Sequence, residues 1–277
     1  MPELSFKIRR AVDTYQPIDM DGLRFFPIPV RHMEMFSVAK GGITILQQAL
    51  PLQYISMPLL SALYAMELDA ITDGTERPGF FSLALLLLAL SLRLVDEEEP
   101  DETLKIFGIL TDSNDPKRLK QVVFPYEGEL HAVSPVQFSR YRPIIAAQNG
   151  IELEAVDANP DLVQAERDLA ELNAPKLDYR TESLVSAICA LCRVDEAEIY
   201  DWPILKLQRR RESLERILNY AVCAINEGAG CKWKRGNPSP SPWFDRLRTM
   251  PGGVIPIGDF AGGAAAKAVN SPGQTVS

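Results

Sequence analysis

Histidine is scarce in this chain. Its 277 residues hold two, His32 and His131, about a hundred positions apart. Any histidine-dependent triad or metal site would have to use one of them, and neither stands beside a candidate nucleophile. A surface or half-buried histidine accounts for both, and an enzyme would need a deep pocket that lines one of them with carboxylates. No G-x-x-x-x-G-K-S/T phosphate loop is present, and Gly252-Gly253 and Gly262-Gly263 lack the strand-to-helix setting of a dinucleotide fingerprint, so nucleotide chemistry is not expected. Cysteine is sparse as well. Four in the whole chain make no disulfide framework and predict a reduced, cytoplasmic setting. Cys189 and Cys192 form a C-x-x-C that Cys223 and Cys231 would complete as four zinc thiolates. Cys189 and Cys192, however, sit inside a predicted helix beside leucines, where cysteine behaves as a small buried hydrophobe. No cofactor is expected.

A long hydrophobic run is also missing. Phe80 to Leu92 is apolar but is interrupted by Arg93 and closed by Asp96-Glu97-Glu98-Glu99, short of the roughly 18 to 20 residues of a membrane span. Met1 to Arg10 has no apolar stretch behind its charges and predicts no signal peptide. The acidic stretch Asp96 to Glu102 lacks the glycine and spacing of a cation loop and reads as a solvated turn.

The formal net charge of −8 argues against wholesale nucleic-acid binding, yet it is unevenly placed. Residues 201–277 hold 11 Lys or Arg against 6 Asp or Glu, leaving 18 against 31 for residues 1–200. Arg209-Arg210-Arg211 with Lys232-Trp233-Lys234-Arg235 mixes cations and an aromatic as single-strand binders do. A solvated helix face plus a docked loop explains that mixture more simply.

What the chain does have is helical signal. Asp195 and Glu198 have capping-box spacing, Asp201-Trp202-Pro203 offers a second helix start, and Leu207, Leu214, Leu218, Ala221, Val222 and Ile225 mark one apolar face that ends at Gly228 and Gly230. The rest of the chain is expected to pack on this helix, which with Phe80 to Val95 would form the core. Further helices are expected over 30–40, 58–71, 80–95, from Ser134-Pro135 to Asn149-Gly150, over 160–172 and over 182–193. Pro143 should kink the fourth of these. Between them, Leu104 to Leu110, Leu119 to Phe124 and Glu129 to Val133 read as three strands, and Leu23 to Phe26 as a short strand or arm.

The fold class is therefore mainly α: a helical bundle with a small antiparallel β-meander inserted, an α+β arrangement with a disordered C-terminal tail. The expected divisions are an extended arm and helical part over 1–98, the meander over 99–133, a helical domain over 134–230, an extended Pro/aromatic segment over 231–261, and the tail over 262–277, where Gly, Ala, Ser and Pro dominate.

Three stretches carry a resemblance. Phe138 to Gln148-Asn149-Gly150-Ile151, then Ile199-Tyr200-Asp201-Trp202 with the Arg209-Arg210 helix behind it, and Lys232-Trp233-Lys234 to Ser241-Pro242-Trp243 resemble proteins of tailed-phage and prophage tail modules. The likeness runs over residues 130–250 and more loosely over 50–95, and that group does not share the four cysteines. It implies a non-enzymatic role in tail morphogenesis, either as a tail-assembly chaperone that holds the tape-measure protein in solution or as a tail or baseplate component. The partners would be phage tail proteins, with further copies of the chain itself as another option, and the location the host cytoplasm or the virion tail. The implied interaction residues are Tyr200, Trp202, Arg209, Arg210, Trp233, Trp243 and Phe244.

Overall fold

Leucine and alanine fill the stretch Phe80–Leu92 on all sides, and a helix so composed has no face to give to water. In the computed structural model it is helix α5, and nine of its thirteen residues are buried. The structure describes residues 4–75, 79–95, 100–153, 160–173, 180–233, 237–239 and 241–243. The expected disordered tail over 262–277, Phe244 and the acidic residues Asp96–Glu99 lie outside the described residues.

The chain divides into two compact units, Met1–Arg210 and Arg211–Ser277. Unit 1 opens with α1 (Phe6–Asp13), which the sequence reading missed, started by the Ser5 hydroxyl accepting the Ile8 N–H. A hairpin follows, β1 (Ile18–Met20) against β2 (Leu23–Phe25), closed by Asp21 and Gly22, both at positive φ as a type I′ turn requires. A 3-10 turn (Val30–His32) leads into α2 (Met33–Ala39) and α3 (Gly41–Thr44). The helix expected over 30–40 ends at Ala39, just before Gly41-Gly42, and these glycines begin α3. The reason is packing: a Cβ on Gly42 would lie 2.3 Å from the Ala84 backbone N, so glycine lets α3 cross α5 at backbone contact.

Helix α4 (Leu59–Asp73) runs to Gly74 in the left-handed conformation, as its sequence signals predict. The first N–H groups of α5 have no cap from Gly79. Glu67 of α4 serves instead, accepting the Phe81 N–H at 3.1 Å and the Ser82 hydroxyl at 2.7 Å. Arg93 ends α5 at a φ of 58°.

The meander is present, shifted at its start. Residues Pro100–Ile106 form a 3-10 segment, and strand β3 is only Gly108–Thr111. β3 pairs antiparallel with β4 (Leu119–Tyr126), which pairs antiparallel with β5 (Glu129–Val133). Helix α6 (Pro135–Gln148) begins with a full capping box between Ser134 and Gln137 and carries Pro143 inside it. Helices α7 (Pro160–Asn173), α8 (Thr181–Cys192) and α9 (Glu196–Tyr200) complete the run before α10 (Ile204–Gly228). The architecture is thus mainly helical with a small antiparallel meander.

Polar residues inside unit 1 join its pieces. Asn149, fully buried, accepts the Ile28 N–H at 2.8 Å and donates to the Ile145 carbonyl at 2.8 Å. Gln148 donates to the Phe25 carbonyl at 3.1 Å. Arg142 donates to the Ile43 carbonyl at 2.8 Å. Tyr141 packs on Phe25 with ring centroids 5.0 Å apart and donates its hydroxyl to Asp21 at 3.1 Å. Burial, then that bond to a carboxylate, pushes its pKa up to about 12.

Candidate interaction surface

The step from α9 to α10 is pinned to the start of the chain. Val30 donates its N–H to the Trp202 carbonyl at 2.8 Å, Ile204 donates to the Ile28 carbonyl at 2.9 Å, and Pro29 bridges Pro203. Two prolines suit this short bridge because neither has an N–H to leave unpaired.

Two cap expectations change here. Asp195 does start α9, its carboxylate accepting the Ala197 N–H at 2.8 Å, but Glu198 does not complete a box. Glu198 instead accepts the Trp202 indole N–H at 3.2 Å. Asp201, expected as an N-cap, is the C-cap of α9 and is ion-paired with Arg31.

Trp202 is buried, with the Lys206 ammonium 3.7 Å from its ring centroid. That ring and its surroundings desolvate Lys206 and lower its pKa. Tyr200 is half-buried at the end of α9. Arg209 pairs with Asp13 at 3.0 Å and lies 5.6 Å from the Tyr15 ring centroid, tying α10 to the segment after α1. Arg210 is exposed. Of the three contiguous arginines, the first is therefore committed to holding the fold.

The distal part of α10 contradicts the expectation that the whole helix is core. Ile204, Leu205 and Leu207 are buried. Beyond Arg211, Leu218 is 52% exposed, Val222 57% and Ile225 71%. Leu214, Leu218, Ala221 and Ile225 recur at spacings of four, three and four, with Ile217 and Val222 beside them, so they share one face. Cys223, on the opposite side, is buried. Six apolar residues on one helical face with water over most of them form the most continuous uncovered apolar stripe of α10.

Past α10, a few described residues of unit 2 make contacts of their own. Asn237 donates its side-chain amide to Glu227 at 3.0 Å, and Trp243, 75% exposed, donates its backbone N–H to the Ser241 hydroxyl at 3.1 Å. The Trp233 indole N–H is buried without a hydrogen-bond partner among the described residues. Lys234 and Arg235, the other half of the basic and aromatic mixture, lie outside them.

No protein-family model, curated protein or solved structure matches the chain.

All four cysteines are free thiols, Cys189 and Cys192 on α8 of unit 1, Cys223 and Cys231 in unit 2. Among the described residues no group of three or more His, Cys, Asp or Glu side chains comes together as a metal site would require. His131 stands edge-on to the Tyr126 ring, centroids 5.4 Å apart. His32 lines a cavity with Asp201. Its lining holds no serine, threonine or cysteine among the described residues, and the Asp201 carboxylate is already ion-paired.

The exposed stripe was passed over because sequence period identifies an apolar face without saying what covers it. One signal pointed the right way. The stripe continues well past the Trp202 anchor, to the glycines Gly228 and Gly230.

Proposed function

We propose that this chain is a non-enzymatic phage tail morphogenesis protein, a tail-assembly chaperone that binds tail or tape-measure proteins through helix faces. The observation that carries this reading is the exposed stripe Leu214, Ile217, Leu218, Ala221, Val222 and Ile225 on α10. A tape-measure protein is a long helical client, and a helix meets a helix by laying one apolar face against another at spacings of three and four. The net charge of −8 keeps a complex with such a client in solution. The resemblance of residues 130–250 to tail-module proteins supports the same role.

A second reading is a structural subunit of the virion tail or baseplate. It draws on α7, where Leu162, Leu169 and Leu172 share another face and are all exposed. Quantitative mass spectrometry of purified particles against infected-cell lysate separates the two. Abundance in lysate with absence from particles supports the chaperone. A fixed copy number in particles supports the subunit. A chain that co-purifies with no tail protein from lysate and is absent from particles refutes both.

A further inference from the structure

Between α4, α5 and the start of β3 lies a cavity of about 350 Å³ with a mostly apolar lining, and every described lining residue belongs to unit 1. We infer that this cavity is a binding site for a small uncharged molecule with an aromatic or branched apolar body and one hydroxyl group. The inference stands apart from the role of α10 in client binding.

A surplus of apolar surface on α4 is the first reason. Leu60, Leu63 and Ala70 already bury one side of that helix in the core. Tyr64, Leu68 and Ile71 recur at spacings of four and three on the side next to it and line the cavity instead, with Ile71 72% exposed at its mouth. A helix that served only the core would have no use for a second apolar side, and a well-packed interior does not leave a space of this size empty. The volume falls within the roughly 300 to 1,000 Å³ of small-ligand pockets.

The walls are held without a ligand. Glu67 accepts the Phe81 N–H at 3.1 Å, the Ser82 N–H at 3.4 Å and the Ser82 hydroxyl at 2.7 Å, which locks α4 to the first turn of α5. Phe81 stands edge-on to Tyr64 with ring centroids 5.2 Å apart, and Phe107 makes the same kind of contact with the fully buried Phe124 at 5.3 Å. Rings fixed in this way meet an apolar body with little left to order.

The polar groups select the rest of the ligand. Glu67 already accepts three donors from α5, so its carboxylate serves the wall. Tyr64 is different. It lines the cavity, and its hydroxyl has no hydrogen-bond partner among the described residues, which leaves a group that can both donate to and accept from a bound molecule. Burying an ion against leucine, isoleucine and phenylalanine costs far more than burying a hydroxyl that finds one bond, so the matching head group is neutral.

Fluorine NMR titration of the full chain with 4-fluorophenol and with 4-fluorotoluene, which carries a methyl in place of the hydroxyl, tests the assignment. 4-Fluorophenol should bind at least threefold tighter. Tyr64→Phe should abolish that preference by weakening 4-fluorophenol while 4-fluorotoluene binds as before, a split that general loosening of the fold would not produce. Ile109→Trp, at a lining position 44% exposed, should block the mouth and weaken both probes at least tenfold with the thermal midpoint unchanged. Failure of both probes to bind at millimolar concentration, a preference that survives in Tyr64→Phe, unchanged binding in Ile109→Trp, or tighter binding of 4-fluorobenzoate than of 4-fluorophenol would overturn the assignment. So would displacement of 4-fluorophenol by a tenfold lower concentration of N-acetyl-tyrosinamide, since the occupant would then be a tyrosine of a partner protein.

Discussion

Gly42 and Ala84 touch backbone to backbone. A Cβ built on Gly42 would lie 2.3 Å from the Ala84 N and 2.7 Å from its Cα, and neither atom can rotate away as a side chain would. Gly42→Ala must therefore separate α3 from α5 and open the core. The expected loss is about 3 kcal/mol, at the upper end of overpacking costs, read as a drop in the urea midpoint. A variant as stable as the parent would show that α3 is free to shift.

Asn149→Ala should be comparably harmful for a different reason. Removing the amide leaves the Ile28 N–H and the Ile145 carbonyl buried and unpaired, at about 1–3 kcal/mol each. Urea denaturation checks the sum. Asn149→Asp keeps the acceptor for Ile28 but loses the donor to Ile145 and buries a charge, so it should not rescue the loss.

Leu218→Glu with Ile225→Glu tests the proposed client face. Both side chains are more than half exposed, so stability should stay within about 0.5 kcal/mol of the parent. Capture of a phage tape-measure protein, the client proposed above, measured by pull-down from co-expressing cells, should fall at least tenfold. Full capture by the double variant would move the client site elsewhere.

Tyr141 gives an alkaline signature. Its folded pKa of about 12 lies above the ordinary 10, so both states are protonated below pH 10 and the group adds no slope there. Between pH 10 and about 12 the unfolded chain releases a proton that the folded chain keeps, and stability falls as pH rises. Tyr141→Phe should cost about 1–2 kcal/mol at pH 7 through the lost bond to Asp21, and should flatten the decline above pH 10. An unchanged alkaline slope in thermal melts would show that Tyr141 does not carry it.

Apolar period located α4, α5, α6, α7 and α8 to within a few residues, because their start and stop signals, Pro58, Gly74, Ser134 and Pro160 among them, agree with their buried faces. The meander was legible for the matching reason: β4 alternates buried and exposed positions, and Glu127-Gly128 closes its hairpin at positive φ. Short elements were lost. α1 is eight residues with a single buried side chain, Val12, and β1 is three residues whose only strong marker is the Asp21-Gly22 turn. For the site, Trp202 and Arg209 were visible as unusual residues, but their partners Glu198, Lys206, Asp13 and Tyr15 make them anchors of the fold. Arg31 and Arg93, which line one cavity of unit 1, could not be linked from sequence at all. Their proximity is created by the Phe26 to Ser91 bond and the Pro29 bridge, which leave no periodic trace.

The meander also constrains how this chain can meet other proteins. Its outer strands, β3 and β5, are four and five residues long, and the register shifts between Leu110 and Thr111 in the first. An incoming strand would find about two or three backbone hydrogen bonds on either side before the row ends. Growth by strand addition, the route by which crowded sheet proteins run into fibrils, is thereby discouraged on this sheet. A second copy meeting this sheet edge to edge would therefore gain little from pairing with it.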